Sequence, residues 1–567
     1  MRTLIQQKKV PEACIEGRDT SPKISQPSFL ILAFVLLIGT LLTYSNHFRN
    51  GFHFDDSHVI VENAYIRNVR NIPLFFKDGT TFSSLPTNQS YRPVVSATLA
   101  IDYWMGKRLE PFYFHLTTFI LFLFQGVLIF LLYFKIVNLS LEHSWNKFFS
   151  LFATAWYMLH PANAETINYV SARSDTLSTQ FLLFALVLFI YSSRCRKWHL
   201  YLIPAGIGIL AKPIGGVFPI LLLVYIILFE KRISLAEIFH RRNFPALASS
   251  FNKVLPSLLF CGILVVFMGR MGPATWVAGG SSFYHYVITQ PFVILRYFTT
   301  FFLPIDLSAD TDWRTLGTLL DIRFFMGASF LVALVWAAVA SSRKERERPI
   351  SFGILWFLIA LLPTSLTPLA EVMNDHRIFF PYVGLTMSVS WAVVLGLSHL
   401  KKSVQPAQTF NRALVVAILI VLAAYAYGTY QRNKVWLTDE TLWRDVTEKS
   451  PNNGRGLMNY GLALMEKADG VLMNEGDFGW SDVGSWTALA DIWPKSGDGH
   501  AVRGQAVFVD SRDCLVYSPD RLTAVVGLKD IIVVDTPDAL LVCHKASDQK
   551  VRDVIGRLKK DRKTRFL

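Results

Sequence analysis

Long, nearly uncharged apolar runs recur through the first three quarters of this chain, and nothing else in it restricts the fold so strongly. A helix needs about 17 to 25 apolar residues to cross roughly 30 Å of hydrocarbon, where every backbone N–H and C=O must be satisfied within the segment. Candidate runs lie near 28–45, 113–135, 147–160, 176–193, 199–211, 214–229, 253–269, 287–304, 324–340, 351–364, 378–398 and 412–430. They predict an all-α polytopic membrane protein with about 11–12 membrane segments, the shorter runs being the weaker candidates. The first run starts late, is long, and has no small-x-small site before Asn46, so it reads as a retained anchor rather than a cleaved signal. Composition agrees: 52% of the 567 residues are hydrophobic and 17% charged.

The net charge of +14 would raise the question of nucleic acid in a soluble protein. Here the basic residues sit in a tail and in short loops: Arg2, Lys8, Lys9, Arg18 and Lys23; Arg194, Arg196 and Lys197; Lys231 and Arg232; Arg343, Lys344, Arg346 and Arg348; Lys401 and Lys402. That is the positive-inside pattern, so the expected partner is the membrane and not nucleic acid. All five groups share the cytoplasmic side if 287–304 does not fully cross. Segments 46–112, 161–175, 270–322 and 365–377, with everything after the last span, then face the other side. The membrane would be a bacterial inner membrane or one of ER type. Cys14, Cys195, Cys261, Cys514 and Cys543 show neither metal spacing nor a disulfide framework, with Cys514 and Cys543 open as a pair.

These signals divide the chain into a cytoplasmic tail (1–27), a membrane domain (28–430) with a large loop at 46–112, a helical pair (431–467) and a β-rich module (468–567). A loop as long as 46–112 is usually functional or disordered, and its aromatic, polar composition points to function. After the last span, "WLTDETLWRDVTEKSPNNGRGLMNYGLALMEK" has helical spacing, with Trp443, Leu457, Tyr460 and Leu464 at apolar positions. It resembles the opening of a tetratricopeptide repeat, cut short after at most one period of about 34 residues. From about Gly470, short runs such as "AVFVD", "CLVYS", "TAVVG" and "IIVVD" read as strands before a last basic helix.

Four polar clusters border the apolar runs. "GFHFDDSHVI" sets Asp55 beside Asp56; a partly desolvated carboxylate near a cation can act as a general base, and the alternative is a helix cap or a solvated loop pair. "SYRPVVSATLAIDYWMG" offers Arg92, a bidentate phosphate ligand or a snorkelling side chain, and "EPFYFHLTTF" follows with His115. "LHPANAETINYVSARSDTLS" carries His160, Glu165, Arg173 and Asp175, either a functional cluster or a stabilised turn. "PTSLTPLAEVMNDHRIFFPYVG" carries Glu371, Asn374, Asp375, His376 and Arg377, and Lys212 in "LAKPIGG" faces the same cavity or snorkels.

In this order, "FDD", "SYRP" with "FH", "HP" with "ETINYVSARSD", and "DHRIFFPYVG" resemble the transmembrane and tetratricopeptide-repeat O-mannosyltransferase-like family, over about 28–465. The resemblance implies a GT-C-like fold and a glycosyltransferase. It would move a sugar, mannose being the one suggested, from a polyprenyl-phosphate donor to a protein hydroxyl on the extracytoplasmic side, with inversion. It implies Asp55 or Asp56 as base or acceptor-orienting group, and Arg92, Arg173 and Arg377 on the carrier phosphate. His160, Glu165, Asp175, Lys212, Asp375 and His376 remain further site candidates, and a divalent metal is left open.

The tail, from "MEKADGVLMNEGDFGWSDVGSWTAL" to "GLKDIIVVDTPDALLVC", resembles the C-terminal part of the catalytic region of mannose-1-phosphate guanylyltransferases. There Asp482 would correspond to a metal and sugar-phosphate contact. The Gly-rich nucleotide-binding loop of such enzymes has no counterpart in this sequence, so GDP-mannose synthesis stands as the alternative function, and a non-enzymatic membrane scaffold as a third. The join near "LALMEKADG" is either a natural fusion or an artefact.

Overall fold

The computed structural model describes residues 26–275, 282–400, 407–468, 485–536, 539–551, 553, 554 and 557. The tail with Cys14, the Lys401/Lys402 loop and Asp482 lie outside them. The chain forms two compact units, Met1–Ala468 and Asp469–Leu567.

The first unit is helical. Among the described residues nine helical segments are long and apolar enough to cross a membrane: Ser28–Arg49, Pro111–Ser140, Val170–Tyr191, Pro213–Glu230, Arg241–Met271, Ile322–Ser342, Glu345–Leu366, Pro381–Ser398 and Arg412–Val435. The chain is thus a multi-pass integral membrane protein. Side chains such as Ile263, Val332, Trp336 and Ile420 are left bare on the outer faces, as lipid contact requires. The remaining three apolar runs are helical too. Asn146–Met158 and Leu202–Ala211 are 13 and 10 residues long, too short to span, and Phe283–Phe302 carries Gln290 and Arg296 among its apolar residues. Several helices begin on proline, whose missing N–H costs nothing in a first turn: Pro93, Pro111 and Pro381.

Close helix packing occurs where side chains vanish. A Cβ on Gly384 would stand 2.6 Å from the Gly353 carbonyl oxygen, and one on Gly353 would stand 2.7 Å from the Ser388 Cβ, so the helices Arg348–Leu366 and Pro381–Leu400 approach only because both positions are glycine. A buried amide network ties other helix ends together. Asn168 accepts from Asn50 (2.6 Å), lies 2.9 Å from His47 Nδ1, and donates to Asn433 (2.7 Å), which donates to the Thr43 carbonyl. Most of these polar groups satisfy one another, Asn50 Oδ1 being left without a partner, so the network fixes how the helix ends meet within an apolar core.

The 46–112 loop is a folded layer. Asn68 and Asp78 side chains cap short turns at Arg70 and Thr80, and Val59, Ile60, Ile66, Phe75 and Phe82 pack on Val95, Leu99 and Phe114. Each such buried side chain contributes about 1.5–3 kcal/mol, enough to order a segment whose length alone suggests a linker. The helical pair comprises Asp439–Lys449, capped by Thr438, and Gly454–Met465, capped by Asn453. Trp443 is buried and Tyr460 partly so, but Leu457 and Leu464 are about half exposed, contrary to their expected core role. The pair buries its other face, through Leu442, Trp443 and Val446, against Trp436, Phe54, Tyr169 and Ala309.

In the second unit, Trp486–Ile492 precedes a four-stranded sheet of β1 (Ala501–Val509), β2 (Leu515–Val526), β3 (Ile531–Asp535) and β4 (Leu540–His544), ordered β1-β2-β3-β4. β1, β2 and β3 run parallel and β4 antiparallel. "CLVYS" and "TAVVG" are not separate strands: all but Cys514 and Gly527 fall in β2, which bulges at Pro519–Leu522 opposite Gly504, whose φ of +112° suits glycine alone. The fourth strand is "LLVCH". Cys514 and Cys543 are free thiols, so they do not pair. Of the expected last helix, only a turn over Lys545–Lys550 and a few residues beyond it are described.

Candidate functional site

The site begins at Phe54, which adopts a left-handed conformation (φ +52°) with its ring against Tyr169, Trp436 and Trp443. This reversal sends the two following carboxylates apart. Asp56 turns inward, fully buried, and accepts from Ser171 N (2.8 Å), Ser171 Oγ (2.6 Å), His53 N (3.1 Å) and Val170 N (3.3 Å). Burial pushes its pKa up to about 6 against those bonds. Its lone pairs are committed, so it works as a pin between the loop and the Val170–Ala172 turn.

Asp55 turns outward, its side chain 55% exposed and 3.3 Å from His58. Partial burial raises its pKa, but His58, the Tyr169 hydroxyl and the Arg92 charge outweigh that and hold the carboxyl below its ordinary value. The Asp55 N–H donates to the Tyr169 oxygen (3.2 Å), fixing the backbone. Asp55 is thus ionised, reachable and within the field of a cation.

Arg92 begins the cationic side. Half-buried at the start of the Pro93–Gly106 helix, it lies over the Phe82 ring at 5.2 Å and reaches Ser174 Oγ at 3.4 Å. Its charge acts on Asp55, Lys212 and His376. Lys212 Nζ sits 2.7 Å from each oxygen of Asp175; burial lowers its pKa, Asp175 resists, and Arg92 and Arg377 lower it further. Arg377 donates to the Glu371 carbonyl (2.9 Å) and pairs with its carboxylate at 3.5 Å. Three cations from three separate stretches of sequence therefore share one neighbourhood; Lys212 is paired with the buried Asp175 and Arg377 with Glu371, and Arg92 has no ion-pair partner among the described residues.

His376 Nδ1 is 2.9 Å from Glu165 Oε1, and burial holds its pKa well below the ordinary value, with Lys212, Arg377 and Arg92 adding to it. Glu165 is displaced upward by burial and by Asp375 nearby. Asp375 accepts from the Ser308 N–H (2.9 Å) and is itself pushed up to about 6 by burial. This dyad and its neighbour adjoin the same polar cluster, since the charges of Lys212, Arg377 and Arg92 act on His376 and those of Arg377 and Asp175 on Glu165.

Two expected site residues are used elsewhere. Arg173, expected to hold phosphate, is fully buried: it pairs with Asp102 and donates to Thr118 Oγ1 (3.0 Å), Thr98 Oγ1 (3.3 Å) and the Phe114 carbonyl. No face of its guanidinium is left for a ligand. His160 spends both nitrogens on protein, Nε2 at 3.0 Å from the Phe301 carbonyl and Nδ1 accepting from Ala162 N, with its ring among Phe301, Tyr382 and Tyr425. His115 is buried with Nε2 at 2.9 Å from the Asn50 carbonyl.

Residue-by-residue reading missed Tyr169, Ser171, Asp102 and Arg455. Asp102 had a signal, a lone carboxylate in an apolar amphipathic stretch, which must be paired if buried. Arg455 of the helical pair bonds Asp310 (2.8 Å) and Glu371 (2.9 Å), and so reaches Arg377 through Glu371. Nothing local to "NNGRGL" signals that contact. Among the described residues no group of three or more His, Cys, Asp or Glu is arranged to hold a metal ion.

Residues 504–558 match the family described as MannoseP isomerase/GMP-like beta-helix domain. A putative mannose-1-phosphate guanylyltransferase of Vibrio cholerae is 40% identical over 104 residues, 18% of this chain and 22% of that protein. The alginate biosynthesis protein AlgA of Pseudomonas aeruginosa is 39% identical over 93 residues, 16% of this chain and 19% of that protein. The xanthan biosynthesis protein XanB of Xanthomonas campestris is 39% identical over 116 residues, 20% and 24% respectively. The chain thus spans between 19% and 24% of these relatives' length. A crystal structure of ArnT from Cupriavidus metallidurans bound to undecaprenyl phosphate aligns with a TM-score of 0.36 and 15% identity, over 73% of this chain and 77% of that one.

Proposed function

We propose that the helical unit is a membrane glycosyltransferase that moves a sugar from a polyprenyl-phosphate donor to a protein hydroxyl, with mannose the sugar suggested by the motif resemblance. The observation that carries the reading is one exposed, ionised carboxylate, Asp55, within the field of Arg92, a guanidinium that has no ion-pair partner among the described residues and whose charge also acts on Lys212 and His376. The cations match a phosphate leaving group, and the carboxylate matches an acceptor hydroxyl.

In this reading the acceptor oxygen attacks the anomeric carbon from the face opposite the phosphate. Its proton passes to Asp55, the sugar–oxygen bond breaks, and the electron pair leaves on the carrier phosphate, inverting the carbon. The extra charge on the phosphate is met by Arg92 and Lys212, while Arg377 and the His376–Glu165 dyad orient it. Asp55 is a weak base, which suits proton transfer late in the reaction, when the hydroxyl has become acidic through bond formation. Asp56 holds the loop, and Arg173 supports it through Asp102. The cluster is read as extracytoplasmic, since the basic loops mark the other side.

The likeness of the tail to mannose-1-phosphate guanylyltransferases suggests a second reading, GDP-mannose synthesis, against which stands the lack of a Gly-rich nucleotide-binding loop in this sequence. The test measures transfer of labelled sugar from polyprenyl-phosphate donors to membrane proteins by wild type, Asp55→Asn, Asp56→Asn and a chain ending at Ala468. Transfer abolished by Asp55→Asn and kept by the shortened chain is the expected result. No transfer by wild type, with GDP-mannose formed from GTP and mannose-1-phosphate, overturns it.

A further inference from the structure

The Pro93–Gly106 helix carries Arg92 at its start and a second feature at its end. Twelve residues on, about 18 Å along the helix axis, an open groove of about 610 Å³ is lined by Arg67, Tyr103, Trp104, Met105, Lys107 and Tyr113. Arg67, Trp104, Met105 and Lys107 are exposed, Trp104 by 65%. Arg67 is anchored by one bond to the Val61 carbonyl (2.8 Å), and the Lys107 ammonium has no ion-pair partner among the described residues. Lys107 takes a left-handed conformation (φ +57°), which ends the helix.

The groove borders the membrane edge. Tyr113 lies in the first turn of Pro111–Ser140, a 30-residue helix of about 45 Å that must overhang a hydrocarbon core of about 30 Å. Ile101 and Phe112 are exposed beside it, so an apolar strip runs from the groove toward the lipid. Exposed Trp, Lys and Arg beside half-buried Tyr at such a level are the chemistry of the lipid headgroup zone. Two cations without a matching carboxylate in the lining select for negative charge, and the aromatic wall fits a glycerol backbone and the first methylenes of an acyl chain.

We propose that this groove binds the headgroup of one anionic glycerophospholipid, its phosphate between Arg67 and Lys107 and its chains along Trp104, Met105 and Phe112. The site is separate from the transfer cluster and does not depend on the activity proposed for it.

The full chain, purified in detergent, is exchanged into mixed phosphatidylglycerol and phosphatidylcholine, and retained lipid is counted by native mass spectrometry. Wild type is expected to keep phosphatidylglycerol in preference to phosphatidylcholine, and Arg67→Gln/Lys107→Gln to reduce that preference roughly tenfold. All the changed side chains are exposed, and Lys107→Gln alone is a milder variant whose preference falls in the same direction. Equal retention of the two lipids by wild type, or a preference untouched in both variants, overturns the proposal. So does displacement of phosphatidylglycerol by glycerol phosphate at the same concentration, which would mark a site for soluble anions.

Discussion

Replacing Arg173 by Met separates two roles that its position in the sequence leaves open. If the guanidinium serves the fold, its loss strands Asp102, a fully buried carboxylate, with Thr117 Oγ1 at 2.6 Å as its remaining hydrogen-bond partner, and removes donors from Thr98, Thr118 and the Phe114 carbonyl. Breaking one half of a buried pair costs about 3–5 kcal/mol, because a charge is left without compensation. That corresponds to a rise of roughly two to three and a half powers of ten in the unfolded population. The measurement is the temperature at which the detergent-solubilised protein loses its monodisperse size-exclusion peak, and a large drop is expected. Arg173→Met/Asp102→Leu should recover most of it, since an apolar pair of similar volume avoids burying charge. Burial already raises the Asp102 pKa in the intact protein against the pull of Arg173 and Thr117, and loss of the Arg173 charge should raise it further. The single variant should therefore be less unstable in mildly acidic buffer than at neutral pH, where the carboxylate must stay charged. An Arg173→Met protein with unchanged thermal stability and no sugar transfer would refute this reasoning and return Arg173 to the phosphate.

The carboxylate pair should divide cleanly. Asp55→Asn is expected to abolish transfer with the melting profile intact, whereas Asp56→Asn leaves at least one backbone N–H without an acceptor and should cost about 1–3 kcal/mol of stability, read by the same heat challenge. Asp56 also gives a pH signature: its folded pKa of about 6 lies above the ordinary carboxylate value, so its contribution is most favourable in acid and is lost as pH rises through 6. The change is on the order of 3 kcal/mol, and Asp56→Asn should remove that slope from the stability–pH profile. Lys212→Met should lower transfer by weakening donor binding and leave Asp175 uncompensated; Lys212→Met/Asp175→Asn should regain stability but not transfer. Arg455→Ala, which frees Glu371 to pair more tightly with Arg377, should raise the KM for donor and also lower thermal stability, because it takes the guanidinium away from the buried Asp310 carboxylate.

The membrane architecture was legible from length and polarity alone, because a bilayer imposes about 20 apolar residues per crossing on any sequence. The same rule explains its shortfall: Asn146–Met158 and Leu202–Ala211 are as apolar as spans but too short, and only packing shows them to be internal helices. The β-rich tail was readable from its β-branched runs, yet the bulge at Pro519–Leu522, which merges two expected strands, depends on pairing with β1 and has no local sign.

The candidate site was legible as a set of residue types and illegible as an arrangement. Arg92, Lys212, His376 and Arg377 stand out because ionisable groups beside apolar runs are costly and rarely idle. Which arginines point at one another is decided by contacts across hundreds of residues, such as Arg455 to Glu371, to which no short-range pattern is sensitive. Asp55 and Asp56 make the limit plain. The sequence determined that two adjacent carboxylates lie outside the first span; the tertiary structure alone decided that a left-handed Phe54, wedged among Tyr169, Trp436 and Trp443, turns one into a buried pin and the other toward a cation. Composition and periodicity fix what must leave water, whereas burial, pairing and backbone reversal depend on partners that only the folded chain brings together.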